Sequence, residues 1–123
     1  MKKFNENSPI YQQLKEEIEA AIIAGNIRED EQLSSIRNLA QEYRINPQTV
    51  ANAVGELLQE GYLYKKRGIG MFVKEGSREK LYHKRKKQFK KQEFKKILKT
   101  AKLLGFIQKE VMQMVADFYE EEE

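Results

Sequence analysis

Apolar residues at Ile10, Leu14, Ile18 and Ile22 recur every four positions near the start of the chain, the spacing of one helical face. Ser8 and Pro9 ahead of them are start signals and Gly25 behind them is a stop signal, so the pattern predicts a first helix between these marks. A polar stretch of irregular pattern follows over residues 26–32, with Ile27 and Leu33 as its anchors. Ser34 and Ser35 then open a short helix whose Ile36, Leu39, Ala40 and Tyr43 face inward. After a brief connection through Arg44 and Ile45, Asn46 and Pro47 supply a cap and a first helical residue. The helix they open buries Val50, Val54, Leu57 and Leu58 and ends at Gly61.

The period then changes. Residues 62–65 and 71–74 read as two short strands around Lys66-Arg67-Gly68-Ile69-Gly70, a glycine-bearing hairpin tip. A long helix is expected from Ser77 to Leu104, its second half carrying Phe94, Ile97, Leu98, Ala101 and Leu104 on one face. Its first half offers only Leu81, Tyr82 and Phe89. Gly105 breaks it, and a last helix groups Ile107, Val111, Met114, Val115 and Phe118 before fraying into Glu120 to Glu123.

Helix, helix–turn–helix and hairpin is the order of a winged helix. The expected fold is mainly α with a small β-hairpin: a winged helix-turn-helix domain over residues 1–75 and a two-helix region over residues 76–123. Two helices are too few to bury their own stripes. The apolar residues named from Phe94 to Phe118 are therefore expected to pair with their copies in a homodimer.

Charge sharpens this division. Residues 1–75 hold 10 Lys/Arg and 11 Asp/Glu, residues 76–103 hold 12 and 2, and residues 104–123 hold 1 and 6. The regional balances of −1, +10 and −5 hide inside a net charge of +4, and such segregation points to an anionic partner. No apolar run approaches a membrane span, and the opening Met1-Lys2-Lys3 leads into no signal-peptide core. Cysteine is absent, which excludes disulfides and thiolate metal sites and fits a cytoplasmic location. His83 is the only histidine and stands among cations, so no metal is expected. No nucleophile–base set can be assembled, and Glu16 and Glu17 sit on an ordinary solvated face. Neither an enzyme nor a cofactor is expected, and Gly68-Ile69-Gly70 lacks the helix and spacing of a dinucleotide fingerprint.

The third helix carries the chemistry. A helix N-terminus favours carboxylates, yet its first turn presents Gln48 and Thr49. In a helix–turn–helix this tip meets base edges in the major groove, where phosphates would repel a carboxylate. Gln can pair with the adenine edge, and the Thr methyl can pack on a thymine methyl. Arg37, Arg44, Asn46, Pro47 and Asn52 complete the expected set on the helix–turn–helix. At the hairpin, Lys65, Lys66 and Arg67 stand beside Gly68 and Gly70, which let backbone come close to phosphate.

Residues 9–73, through "PIYQQLKEEIEAAIIAGNI", "LSSIRNLAQEYRINPQTV" and "ELLQEGYLYKKRGIGMFV", resemble the DNA-binding domain of the GntR family of bacterial transcription regulators. The Asn-Pro-x-Thr turn followed by a short tail is similar to the YtrA subfamily. The resemblance implies a tail that dimerises and no large effector domain. It gives Arg37 a phosphate-and-base contact, Ser35 a phosphate-facing cap, and Gly68 or Gly70 the approach to the minor groove. Ser34 stands where the family has proline, Asp30 where it has glycine, and Pro47 and Ala51 where many relatives have arginine. Arginine bidentate to guanine is the commonest specific contact, so this tip is expected to favour A·T-containing steps or to lean on Arg37 and Arg44. The function expected is a repressor reading an inverted repeat in double-stranded DNA as a homodimer, its effector unidentified. The rival is a winged-helix protein-interaction module whose basic helix, around Lys84 to Lys99, docks an acidic partner; the near-neutral winged domain speaks for it.

Overall fold

A computed structural model describes residues 4–6 and 8–121 of the chain; the terminal residues Met1 to Lys3, Glu122 and Glu123 lie outside the described residues. Helix α1 (Ile10–Ala24) begins behind Pro9, whose carbonyl accepts from the N–H groups of Gln12 and Gln13 at 3.1 and 3.2 Å. No side chain caps this helix, contrary to the expected Ser8 cap; instead Gln13 ties down the segment that leads into it. Its Oε1 accepts from Asn5 N–H at 2.9 Å, and its Nε2 donates to the carbonyls of Asn5 and Ser8, each at 2.7 Å. Leu14, Ile18 and Ile22 are buried, whereas Ile10 stays exposed in the first turn. Gly25 closes the helix at φ +84°, a left-handed conformation that glycine adopts without strain.

Helices α2 (Ile36–Tyr43) and α3 (Pro47–Gln59) follow, then strands β1 (Leu63–Lys66) and β2 (Gly70–Val73), paired antiparallel with Leu63 opposite Val73 and Lys66 opposite Gly70. The polar stretch before α2 is more ordered than its pattern suggests. Asp30 N–H donates to the Val73 carbonyl at 2.6 Å, Val73 N–H to Glu31 at 3.1 Å, and Leu33 N–H to Met71 at 2.7 Å. An antiparallel bridge between Gln32 and Phe72 completes this edge on β2.

The core of this unit joins the α1 stripe to Leu33, Leu39, Ala40, Val50, Ala53, Val54, Leu57, Leu63, Met71 and Val73. Leu58, expected inside, is half-buried, and Ala53 takes a core place instead. Lys15 is buried on α1 and donates to Glu56 Oε1 at 2.9 Å and Glu60 Oε2 at 2.8 Å. It thereby ties the C-terminal half of α3 to α1. The compact unit extends to His83, eight residues past the expected boundary at 75. The reason is packing at the start of α4 (Ser77–Gln88): Leu81 is fully buried, Ser77 Oγ donates to the Tyr62 carbonyl at 2.8 Å, and Arg78 Nε donates to the Ile23 carbonyl at 2.9 Å.

The second unit starts at Lys84. The helix expected from Ser77 to Leu104 is interrupted by a π-helical turn, Phe89–Phe94, before α5 (Lys95–Leu103). The wider turn brings the Phe89 and Phe94 rings to 5.8 Å, a contact that the 3.6-residue period does not anticipate. Gly105 breaks the chain at φ +92°, and α6 (Gln108–Glu121) follows. Among the described residues neither α5 nor α6 buries a side chain. Phe94, Leu98, Ala101, Phe106, Val111 and Val115 line an open apolar cleft of about 890 Å³. Of the residues expected to face a second copy, Ala101 and Val111 are half-buried and the others exposed.

Candidate nucleic-acid interface

The helix–turn–helix is capped by a side chain at the start of each helix and by backbone at the reversal between them. Ser35 Oγ accepts from Asn38 N–H at 3.1 Å and caps α2, placing Arg37 on its exposed first turn. Arg44 ends that helix in the left-handed conformation, φ 57° and ψ 48°, and its N–H donates to the Ala40 carbonyl. Only two residues separate the end of α2 from the cap of α3, so a sharp reversal is required there. Asn46 Oδ1 accepts from Gln48 N–H at 2.7 Å, with Pro47 at the first helical position.

One turn into α3, Gln48 Nε2 donates to Asn52 Oδ1 at 3.1 Å. The bond leaves a carbonyl oxygen on Gln48 and an amide nitrogen on Asn52, an acceptor and a donor on one exposed face. Asn46, Gln48 and Asn52 are thus brought together as a linked row, whereas Thr49 turns half inward beside buried Val50. No acidic residue occupies the first turn of α2 or α3.

At the hairpin tip, Ile69 N–H donates to the Lys66 carbonyl at 2.9 Å. Gly68 holds φ +77° at the third turn position, as a type II turn demands. Lys65 and Arg67 are exposed, while the Lys66 ammonium sits 4.8 Å from the Phe72 ring centroid. Phe72 stacks on Tyr64 with centroids 5.5 Å apart, and Tyr64 Oη donates to Asp30 Oδ1 at 3.0 Å. Burial, then the hydrogen bond and charge of Asp30, hold the Tyr64 phenol above its usual range. Asp30 itself adopts φ 65°, which accounts for the family's glycine there. Gly70 has φ +148°, and a Cβ on it would stand 2.5 Å from Gln32 Nε2, which donates to the Ile69 carbonyl at 3.0 Å. Sequence reasoning missed Gln32, Tyr64 and Phe72. A glycine inside a strand signals close approach of another group, and at Gly70 that group is Gln32.

Among the described residues, no three His, Cys, Asp or Glu side chains gather as a metal site, and no helix is long and apolar enough to cross a membrane. His83 Nε2 lies 3.9 Å from Glu79 Oε2 on an exposed helical face.

Comparison with known proteins bears on this surface. The family model described as "Bacterial regulatory proteins, gntR family" matches residues 10–73. The chain is 32% identical over 72 residues to the HTH-type transcriptional repressor YtrA of Bacillus subtilis, covering 58% of this chain and 55% of that protein. The structure of a GntR family transcriptional regulator from Listeria monocytogenes superposes with a TM-score of 0.78 at 27% identity, over 93% of this chain and 98% of its own. The AraR DNA-binding domain in complex with operator ORX1 superposes with a TM-score of 0.54 at 33% identity, over 58% of this chain and 92% of its own. Matches to two longer curated relatives cover only 18% and 27% of those proteins.

Proposed function

Because the chain belongs to the GntR family of bacterial regulatory proteins, we propose that it is a sequence-specific transcription regulator, a cytoplasmic repressor whose homodimer binds an inverted-repeat operator in double-stranded DNA. The observation that carries this reading is the uncharged, amide-bearing face of α3, where Gln48 and Asn52 are joined behind the Asn46 cap. Such a face can satisfy base-edge donors and acceptors and meets no repulsion from phosphate. Arg37 and Arg44 flank it, and Ser35, Lys66, Arg67 and Gly68 position the backbone. The similarity to YtrA, named a repressor, and to an operator-bound AraR domain supports the same reading. Residues 76–123 supply the dimer contact through the apolar faces of α5 and α6, whose exposed side chains call for a partner. The chain performs no catalysis in this role.

Selection of bound duplexes from a randomised DNA pool at about 150 mM salt, close to physiological ionic strength, tests the reading. The expected result is an enriched inverted repeat with half-sites about one helical turn apart. Salt-sensitive binding without enrichment would overturn it and move a basic-helix protein partner to first place.

A further inference from the structure

Ile69 stands at the tip of the hairpin with 63% of its surface exposed, between two glycines and next to a run of three cations. Exposing a branched aliphatic side chain on a turn gains nothing for folding. Its backbone is nonetheless fixed on both sides: the N–H donates to Lys66, and the carbonyl accepts from Gln32 Nε2. Gln32 is held in turn by its bridge to Phe72, and it reaches Ile69 through space that a Cβ at position 70 would occupy. The tip is therefore strapped to the segment that leads into α2, and an apolar side chain is presented at a defined position.

We propose that Ile69 is a specificity-determining residue of the wing, selecting A·T over G·C pairs from the minor-groove side. The inference rests on the regulator reading above and on the minor-groove approach that the family resemblance implies for the wing. In the minor groove, A·T and T·A pairs show only acceptors on the floor, while G·C adds the protruding guanine amino group. An aliphatic side chain offers that amino group no acceptor and would leave it desolvated and unpaired. Over an A·T floor it packs without such a loss, and apolar side chains are used as minor-groove wedges elsewhere. The cations at 65–67 supply what Ile69 lacks, attraction to the phosphate walls.

Two base analogues separate the grooves. The duplex enriched with the full chain is resynthesised with 2,6-diaminopurine replacing single adenines, which adds a minor-groove amino group and keeps the major-groove edge. Inosine replacing guanine does the reverse. At a symmetric pair of positions, diaminopurine should lower wild-type affinity about tenfold, within the usual cost of a wrong base pair, and inosine should restore a G·C substitution there to the A·T level. Ile69→Ser should bind the diaminopurine and adenine duplexes equally, and Gln32→Ala should narrow the difference. An enriched inverted repeat indifferent to diaminopurine, or an undiminished difference in Ile69→Ser, would overturn this inference alone. A pool with no enriched duplex would overturn the regulator reading together with it.

Discussion

At the scale of single residues, the linked amides of α3 make a coupled prediction. Gln48→Ala should relax the selected profile at one base pair per half-site, at a cost of roughly 1–3 kcal/mol. Asn52→Ala should act at the same pair, and the double variant should lose less than the sum, because the two side chains share a hydrogen bond. Gly70→Ala combines a forbidden φ with a close contact to Gln32. It should destabilise the winged unit by about 1–3 kcal/mol in thermal unfolding, and adding Gln32→Ala should return only the part due to contact. Alkali acts on three further residues. Burial disfavours the Lys15 charge, but the hydrogen bonds and charges of Glu60 and Glu56 outweigh it, so its ammonium is held above the usual 10.5. Burial, followed by Glu17 and Glu42, raises the Tyr43 phenol, and Tyr64 is raised as described. Groups whose folded pKa exceeds the unfolded one stabilise fully below the unfolded value and lose that stability as pH rises through the folded one. Urea midpoints should therefore hold steady to about pH 9 and fall above about pH 10, with Lys15→Met showing a shallower fall.

Among the elements, α4 departs furthest from its sequence pattern. Leu81 is one apolar residue in a run of Lys, Arg and Glu, and a single apolar position defines no period. Its burial against the winged unit therefore could not be read, although it moves the unit's edge from residue 75 to His83. Leu81→Ala should cost the winged unit about 2–5 kcal/mol, measurable by urea unfolding, where a side chain of a solvated tail would cost little. Helix ends were more legible, because caps are local: Asn46 and Ser35 open, and Gly25 closes, the element their sequence marks. The edge at residues 30–33 was not, since its hydrogen bonds to β2 are backbone bonds that leave no alternation in its side chains. The π turn escaped for a related reason, as five-residue spacing between Phe89 and Phe94 fits neither the helical nor the strand period. In the candidate interface the α3 face was readable from its cap and uncharged first turn. The Gln32 strap was not, because it joins residues 37 positions apart.

Across the whole molecule, charge and apolar surface are segregated. On the proposed reading the winged unit would draw on a few placed cations to attract DNA, so Arg67→Ala should reduce the slope of log affinity against log salt by about 0.9, one phosphate's share. The tail has another dependence. Leu98 and Val115 line the apolar cleft at 40% and 45% exposure, and Leu98→Glu with Val115→Glu should convert the proposed dimer to monomer in sedimentation and weaken the proposed operator binding. Because α5 and α6 bury nothing of their own, the melting temperature of the tail should rise with protein concentration, as for any fold completed by association. That dependence reaches into the lifetime of the protein in the cell. A copy without a partner carries a tail with little to hold it folded, and unfolded segments are where proteases engage. If the chain pairs as proposed, surplus protomers would then be cleared faster than assembled ones, and the number of molecules in the cell would be trimmed toward those that have paired.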